Sequence, residues 1–339
     1  MPGRKALVTA NFSRSALEKL SAHVDVVYKP WGETKRVLSE EELVEELRSS
    51  GADILVVELE RVSGEVLEGA ELKLVGICRN DPRRSVDVKA ATARGIPVIY
   101  TPGRNYNAVA ELTVAVMLAL LRKVVYADRL LRSGRVAVTS AEDFTEYYNA
   151  YRGWELRGKT VGIVGLGKIG FRVAQLLRAF DVRILVYDPY VSEERVSSVG
   201  GERVDLETLL RNSDIVTLHV PPSPETAGMI GRREIELMKP TAFLLNLANP
   251  VVVDEDALYE ALKSRRIAGA ALDVFTEEPV DSTNRFLELD NVVVTPHIGG
   301  DTFETIERQS WMITEDILRF LRGEKPRFLL NPEVWRSGS

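Results

Sequence analysis

The sequence predicts an α/β protein that contains two doubly wound parallel sheets. From residue 4 onward, short β-branched runs alternate with helical patterns, which is typical of parallel sheets with helices on both faces. The alternation stops in a polar and aromatic segment, residues 140–158, and a second series of strands begins directly after it. A chain of 339 residues is also long enough to bury two separate cores.

Five strands are predicted in the first series, with the sequences KALVTA, VDVVY, ADILVVE, LKLVGI and PVIY. A helix is expected near residues 15–20, and Ser39 and Glu42 form a capping box that predicts the start of another. Residues 108–132 follow as one long helical pattern that is apolar nearly all round in its first half. Because a surface helix would not tolerate that pattern, we expect this helix to be buried between domains.

Six strands are predicted in the second series, with the sequences VGIVG, RILVYD, DIVTLHV, AFLLNL, IAGAALDV and NVVVTP. That number is enough for a complete doubly wound sheet. Helices are expected between these strands, for example over residues 205–211 and 255–265. After Pro296 the sequence TFETIERQSWMITEDILRFLRG predicts one more long helix, which we expect to return to the first domain.

The composition argues against several classes of function. The formal charge is −6 and basic residues are interspersed with acidic ones, so neither nucleic acid nor a membrane surface is an expected partner. No apolar run approaches the ~18 residues that a membrane span needs. The single cysteine, Cys78, rules out an internal disulfide and a metal site built from several cysteines. We therefore expect a cytoplasmic protein without a metal.

A glycine-rich motif lies between the strand TVGIV and a helical pattern, and this context predicts a dinucleotide-binding turn. The first glycine permits the tight turn, the second lets backbone N–H groups approach a pyrophosphate, and the third lets helix and strand pack closely. A glycine-rich turn without a ligand is the alternative. The motif consists of Gly165, Leu166, Gly167, Lys168, Ile169 and Gly170.

Asp188 supports the dinucleotide interpretation. It stands 18 residues after Gly170, at the end of the strand RILVYD, where a carboxylate can accept hydrogen bonds from the hydroxyls of an adenosine ribose. The same carboxylate would repel a 2′-phosphate, and no arginine follows it directly. The expected cofactor is therefore NAD and not NADP.

An acid–base pair is predicted from residues that follow two other strands. His297 comes just after NVVVTP, and Glu277 and Glu278 lie beyond IAGAALDVF. Either carboxylate could reach His297, and Glu278 is the predicted partner. A histidine has a pKa near working pH and can exchange a proton with substrate, while a carboxylate orients its ring. The alternatives are a capping or core histidine, as expected for His23 and His219, and a solvated turn acid. Asp273, inside a small apolar strand, is expected to be hydrogen-bonded, with a nicotinamide carboxamide as one partner.

These motifs together resemble the D-isomer-specific 2-hydroxyacid dehydrogenase family, which includes phosphoglycerate, glycerate and formate dehydrogenases. The resemblance covers most of the chain, and its motifs are highly specific when they occur together. The matching sequences are VGIVGLGKIG, YDPY, TLHVPPSPETAGMIG, LMKPTAFLLN, VDEDALYEAL, IAGAALDVFTEEP and VVVTPHIGG.

The resemblance implies a Rossmann cofactor domain, residues 104–297, inserted into a flavodoxin-like substrate domain, residues 1–103 plus 298–339. It also implies NAD as cofactor, a 2-hydroxy or 2-keto acid as substrate, and a homodimer built largely through the cofactor domains. His297 would be the general acid/base and Glu278 its carboxylate partner. Further cofactor contacts are implied at Val220, Pro221, Leu247, Ala248, Gly299 and Gly300.

The stretch LLNLANP departs from the family pattern at Asn249. The family usually has an arginine there that binds the substrate carboxylate and polarises the carbonyl. Asparagine carries no charge and cannot form the bidentate ion pair of a guanidinium. The loss could weaken transition-state binding by ~2 to 4 kcal/mol. We expect altered substrate specificity, and a non-catalytic NADH-binding sensor is the alternative.

The loop CRNDPRRS, residues 78–85, is a second departure, because the family usually has a glycine-rich substrate loop there. Arg79, Asn80 and Asp81 are therefore predicted to contact substrate. One hypothesis is that Arg79, or another arginine of the loop, supplies the charge that Asn249 lacks. The alternative is that these arginines are solvated or bind neighbouring acids such as Glu58.

Overall fold

The computed structural model describes residues 3–83, 85–134 and 138–335. Two units divide the chain: the first is Met1–Asn105 with Asp301–Ser339, and the second is Tyr106–Gly300. The second unit is thus an insertion in the first. The boundaries predicted from the sequence, after residues 103 and 297, lie two and three residues earlier in the chain.

All five strands predicted for the first unit are present: β1 (Lys5–Val8), β2 (Asp25–Tyr28), β3 (Ile54–Val57), β4 (Leu74–Ile77) and β5 (Val98–Tyr100). They pair in parallel in the order β2-β1-β3-β4-β5. The strands β3 and β4 are buried along their whole length, as their continuous apolar sequences require in a sheet that is covered on both faces.

Helices connect the strands of the first unit: α1 (Arg14–Ser21), α2 (Trp31–Thr34), α3 (Glu40–Ser50), α4 (Gly64–Gly69) and α5 (Val88–Ala93). The predicted capping box opens α3. Glu42 N donates to Ser39 Oγ at 3.2 Å, and Ser39 N donates to the Glu42 carboxylate at 2.9 Å. Two backbone donors at the start of the helix are satisfied in this way.

The second unit contains seven parallel strands: β6 (Thr160–Val164), β7 (Arg183–Tyr187), β8 (Gly201–Arg203), β9 (Ile215–Leu218), β10 (Phe243–Asn246), β11 (Gly269–Leu272) and β12 (Val292–Val294). Their order is β12-β11-β10-β9-β6-β7-β8. The sequence predicted six strands and missed β8, because this short edge strand, GER, has no apolar pattern. The fold class predicted from the sequence is confirmed.

The strand order reverses between β6 and β9, which are neighbours in the sheet. In doubly wound sheets, ligands bind at such a switch point, outside the carboxyl ends of the strands. The loops that follow β6 and β9 begin at Gly165 and His219. This edge of the sheet is therefore where a bound dinucleotide is expected.

The helices of the second unit are α6 (Tyr106–Leu121), α7 (Val124–Arg132), α8 (Ala141–Ala150), α9 (Lys168–Leu177), α10 (Glu193–Ser198), α11 (Leu206–Asn212), α12 (Arg232–Leu237) and α13 (Glu255–Lys263). Short 3-10 helices cover Arg178–Phe180, Pro250–Val252 and Arg285–Glu288. The helix α6 packs mainly on α9. Its eight buried residues include Val116 and Met117, so the predicted burial is confirmed, while a position between the two domains stays a prediction.

Two predictions in this region are wrong. The pattern over residues 108–132 is not one helix, because Lys123 adopts a left-handed conformation with φ of 52° and separates α6 from α7. The segment 140–158 also contains a helix, α8, which was missed. A capping box of Ser140 and Asp143 opens α8, and none of its residues is buried, so it leaves no apolar period in the sequence.

The last helix, α14 (Phe303–Leu321), belongs to the first unit, as predicted. It packs against α1, β4 and β5. A short 3-10 helix, Pro332–Val334, follows it. None of the described helices combines the length and the apolar character that a membrane span requires.

Candidate active site and cofactor loop

Two glycines of the motif after β6 are required by the packing of the chain itself. Gly165 has a φ of 90°, and a Cβ there would lie 2.9 Å from Val220 Cγ1. A Cβ on Gly170 would lie 2.0 Å from the carbonyl oxygen of Gly165. At both positions a side chain would therefore force neighbouring atoms to shift, whether or not a ligand binds.

Gly167 has a different environment. Its backbone is extended, and a Cβ there would meet no described atom within 4 Å. It also precedes α9 without a side-chain cap, so the first N–H groups of this helix can serve an anion. Lys168 and Ile169 form the first turn of α9. The packing of the chain does not require a glycine at position 167. A glycine at the start of a helix without a side-chain cap instead fits the pyrophosphate of a dinucleotide.

Asp188 follows β7 and contacts the glycine-rich loop directly. Leu166 N donates to its Oδ2 at 2.7 Å, and Tyr190 N donates to its Oδ1 at 2.9 Å. The carboxylate is half-buried. Each oxygen keeps a lone pair for another donor, such as a ribose hydroxyl.

One residue that the sequence analysis missed also contacts this loop. Arg195 Nε donates to the carbonyl of Leu166 at 3.0 Å, and a terminal nitrogen donates to the carbonyl of Gly167 at 3.3 Å. Its guanidinium lies 4.2 Å from the centre of the Phe171 ring. Nothing in the local sequence around α10 distinguishes this arginine from a surface residue.

His219, at the end of β9, is a core histidine, as expected. It is buried, its Nε2 is 3.0 Å from Thr217 Oγ1, and burial lowers its pKa from 6.5 to about 3. It therefore stays neutral at physiological pH. His23 is exposed, with its Nδ1 3.1 Å from the carbonyl of Lys19. Neither histidine is placed as an acid–base group, which leaves His297.

His297 and Glu278 form a hydrogen bond of 2.8 Å between Nδ1 and Oε2. Glu278 is itself held, because Phe275 N donates to its Oε1 at 3.0 Å. The side chain of His297 is 58% exposed, so its ring is open to a substrate. Its φ of 58° is unusual for a residue other than glycine, and such strained conformations are frequent at functional sites.

Asp273 fixes the turn that carries His297. It is 1% exposed, and its carboxylate accepts hydrogen bonds from Thr295 Oγ1 at 2.6 Å, Ile298 N at 2.9 Å and Gly299 N at 2.8 Å. A Cβ on Gly299 would lie 2.8 Å from Asp273 Oδ2. The sequence predicted a nicotinamide carboxamide as one partner of Asp273, and cofactor contacts at Gly299 and Gly300. In the structure, Asp273 and Gly299 stabilise the turn itself through their hydrogen bond.

Asn249 begins the 3-10 helix after β10. Its Oδ1 accepts from Val251 N at 3.2 Å and thereby caps that helix. Asn246 Oδ1 accepts from both Ala248 N and Asn249 N, at 3.2 and 3.3 Å. Within the described part of the chain, the Asn249 amide nitrogen donates to no other residue, so it is available to a ligand.

The remaining predicted cofactor contacts lie at the same edge of the second unit. Val220 packs against Gly165 and is half-buried, while Pro221 after it is exposed. Leu247 is buried and Ala248 is half-buried, between β10 and the 3-10 helix. All of them follow the carboxyl ends of β9 or β10, which are neighbouring strands.

The loop after β4 belongs to the first unit. Arg79 Nε donates to the carbonyl of Glu58 at 2.7 Å, and burial together with nearby Arg104 lowers the pKa of this guanidinium. Asn80 bonds to Asn105 and to Gly103 N, at 2.6 and 2.8 Å. Asp81 forms an exposed ion pair with Arg83 at 3.0 Å. Arg84, another arginine of this loop, lies outside the described residues.

A buried polar network beside this loop was not predicted. Glu58, at the carboxyl end of β3, forms an ion pair with Arg104 at 2.7 Å. Its other oxygen accepts from Trp31 Nε1 at 3.1 Å and from Gln309 Nε2 at 3.3 Å. The sequence left open that loop arginines bind neighbouring acids such as Glu58. Arg79 does bond to Glu58, but through the carbonyl, and the carboxylate pairs with Arg104, which lies outside the loop. No group of metal-ligating side chains occurs among the described residues.

Comparison with known proteins adds independent information. The model of the family described as D-isomer specific 2-hydroxyacid dehydrogenase, NAD binding domain, matches residues 114–299. A D-3-phosphoglycerate dehydrogenase of Archaeoglobus fulgidus is 41% identical over 88% of this chain, which spans 55% of that protein. A glyoxylate reductase of Thermofilum pendens is 39% identical over 97% of this chain and 95% of its own length.

The fold also has close counterparts among solved structures. The crystal structure of the TT0316 protein from Thermus thermophilus superposes with a TM-score of 0.84 at 33% identity. The match covers 96% of this chain and 99% of that one. The similarity therefore extends over both units.

Two substitutions in the glycine motif should separate folding from ligand binding. Gly170→Ala should lower the free energy of unfolding by ~1 to 3 kcal/mol, because its Cβ would overlap the Gly165 carbonyl. Gly167→Ala should leave that free energy unchanged and weaken NADH binding on the order of tenfold, because it fills open space at the helix start. Urea unfolding and fluorescence titration with NADH measure the two effects. Unchanged NADH binding by Gly167→Ala would contradict the placement of the pyrophosphate.

Proposed function

The chain belongs to the D-isomer-specific 2-hydroxyacid dehydrogenase family, and we propose that it is an NAD-dependent oxidoreductase that interconverts a 2-hydroxy acid and a 2-keto acid. The observation that carries this proposal is the pair of His297 and Glu278, 2.8 Å apart in the unit that matches the NAD-binding model. The similar proteins bear the names of oxidoreductases, which favours an enzyme over a sensor that only binds NADH.

His297 acts as the general acid/base. When bound, NAD would supply the hydride acceptor for oxidation of the 2-hydroxy acid, and NADH would supply the hydride donor for reduction of the 2-keto acid. During oxidation, His297 Nε2 takes the proton of the substrate hydroxyl, and it returns a proton to the carbonyl oxygen during reduction. Glu278 accepts the Nδ1–H hydrogen bond, which fixes the tautomer of the ring and stabilises the imidazolium that forms.

Asn249 binds substrate as a neutral donor in this proposal. Its Oδ1 is occupied by Val251 N, so only the amide N–H groups remain for a ligand. These groups can donate to a carbonyl or carboxylate oxygen but supply no positive charge. A cation for the acid group of the substrate must therefore come from another residue.

Arg79 is the residue of the first unit that best supplies this cation. It is half-buried, and the only hydrogen bond of its side chain to a described residue uses Nε, so its terminal nitrogens can bind an anion. Burial, and after it the positive neighbour Arg104, lowers its pKa, and a bound anion would offset both effects. Asn80 and Asp81 cannot supply a cation, and they are weaker candidates for a substrate contact, because the Asn80 amide bonds to Asn105 and Gly103 and Asp81 would repel an acid.

A homodimer is part of the proposal, and the second unit supplies its interface. The helices α7 and α8 expose Val124, Leu131, Phe144 and Tyr148, with between 52 and 63% of each residue accessible. Large exposed apolar side chains on neighbouring elements of the chain are a feature of protein interfaces. Phe144→Glu with Tyr148→Glu should convert a dimer into a monomer in sedimentation equilibrium. A wild-type monomer at micromolar concentration would contradict the dimer.

The cytoplasm is the proposed location. Cys78 is the only cysteine of the chain and is fully buried. Burial raises the pKa of its thiol well above the ordinary value, so it stays protonated and unreactive in a reducing compartment. Recovery of the native protein from an extracytoplasmic fraction would contradict this location.

Turnover of NADH with a panel of 2-keto acids tests the proposed activity. His297→Asn should lower kcat by a factor on the order of 10² to 10⁴, because the proton donor is lost. Glu278→Gln should lower it less, because the ring remains but loses its charged partner. His23→Asn is the matched control, since His23 is exposed in the first unit. Binding of NADH without turnover of any acid would instead support the sensor.

The role of Arg79 is tested with the best acid of that panel. Arg79→Ala should raise KM more than it lowers kcat, with a total loss in kcat/KM on the order of 10-fold to 100-fold, because a charged hydrogen bond to the acid group is lost. Arg83→Ala is the control in the same loop, as Arg83 is exposed and paired with Asp81. Equal kinetics of Arg79→Ala and Arg83→Ala would assign the anion to another group.

A further inference from the structure

Arg195 contacts the glycine-rich loop although it lies outside the dinucleotide motif. We propose that Arg195 is a positioning residue for the cofactor, which holds the loop in the conformation that binds the pyrophosphate. The inference rests on the proposed NAD site and deepens it. It concerns the affinity for the cofactor and not the proton transfer at His297.

The contacts of Leu166 are the first support. Its carbonyl accepts from Arg195 Nε at 3.0 Å, and its N–H donates to Asp188 Oδ2 at 2.7 Å. The two peptide groups that flank Leu166 are thus held by side chains of opposite charge. Hydrogen bonds to charged groups are the stronger kind, so this residue is fixed from both directions.

The contact with Gly167 is the second support. A terminal nitrogen of Arg195 donates to the Gly167 carbonyl at 3.3 Å. Gly167 has no side chain that could restrict its backbone, and a glycine is the most flexible residue in a chain. Because a peptide group is planar, fixing the carbonyl of one residue also fixes the direction of the next N–H. The arginine therefore orients N–H groups at the start of α9.

Arg195 is itself held in place. Its guanidinium lies 4.2 Å from the centre of the Phe171 ring, in a cation–π contact. Phe171 N in turn donates to the Gly167 carbonyl at 3.0 Å. At the other end, Ser192 caps α10 by accepting from Arg195 N at 3.3 Å. A side chain with these contacts is ordered before the cofactor binds.

A loop that is ordered in advance binds its ligand more tightly, because less conformational entropy is lost on binding. Without Arg195 the loop would keep the bonds of Leu166 N to Asp188 and of Phe171 N to the Gly167 carbonyl, and the cofactor would have to supply the remaining order. The effect should be the same for every ligand that contains the pyrophosphate, whatever its nicotinamide end. This expectation distinguishes loop positioning from a direct contact with the 2′-phosphate of NADP, which would affect only NADPH.

Binding to the whole protein tests the proposal without turnover. Arg195→Ala should weaken the binding of NADH and of ADP-ribose by the same factor, on the order of tenfold. Arg195→Lys keeps the charge but lacks the planar guanidinium that donates to both carbonyls, so it should recover only part of the affinity. Arg211→Ala is the matched control, because Arg211 is exposed on α11 and pairs with Glu207. Its affinities should equal those of the wild type.

Hydrogen exchange of the free protein supplies a second readout. In Arg195→Ala, the amides of residues 165–171 should exchange faster than in the wild type, while the strands β9 to β12 keep their protection. Full recovery of affinity by Arg195→Lys, a loss confined to NADPH, or unchanged exchange in the loop would each overturn the proposal. If the wild-type protein binds no NADH, the proposed cofactor site fails, and the exchange of the loop still decides the role of Arg195.

Discussion

A buried carboxylate determines where the acid–base pair stands. Asp273 follows β11 and binds three donors of the segment after β12, from Thr295 to Gly299. Burial of a charge is unfavourable unless hydrogen bonds replace the lost water, and these three bonds do so. Because β11 and β12 are neighbouring parallel strands, their carboxyl ends lie side by side. His297 and Glu278 meet at 2.8 Å for that reason.

The first unit also has a buried carboxylate directly after a strand. Glu58 follows β3 and is 7% exposed, and its carboxylate binds Arg104, Trp31 and Gln309. This network ties the end of the sheet to α14. In each unit, then, one buried carboxylate at the end of a strand organises the polar groups around it, while the apolar strands supply the scaffold.

The sequence was sufficient for features that have a local pattern. The five strands of the first sheet, six of the seven strands of the second, the glycine motif with Asp188, and the pairing of His297 with Glu278 were all predicted from short stretches. The break at Lys123, the exposed helix α8 and the edge strand β8 were not, because none of them has an apolar period. The partners of Glu58 also escaped prediction, because Gln309 is 251 residues away in the chain. Contacts between residues so far apart in the chain produce no local sequence pattern in either segment.

The cap at Asn249 limits what this position can carry. Its side chain accepts the hydrogen bond of Val251 N, and Pro250 between them has no N–H of its own. An arginine at position 249 would have no acceptor to replace this bond, so the N–H of Val251, a residue that is 41% exposed, would bond to water instead. One side chain cannot both cap this 3-10 helix and carry a positive charge, so a guanidinium here would remove the cap.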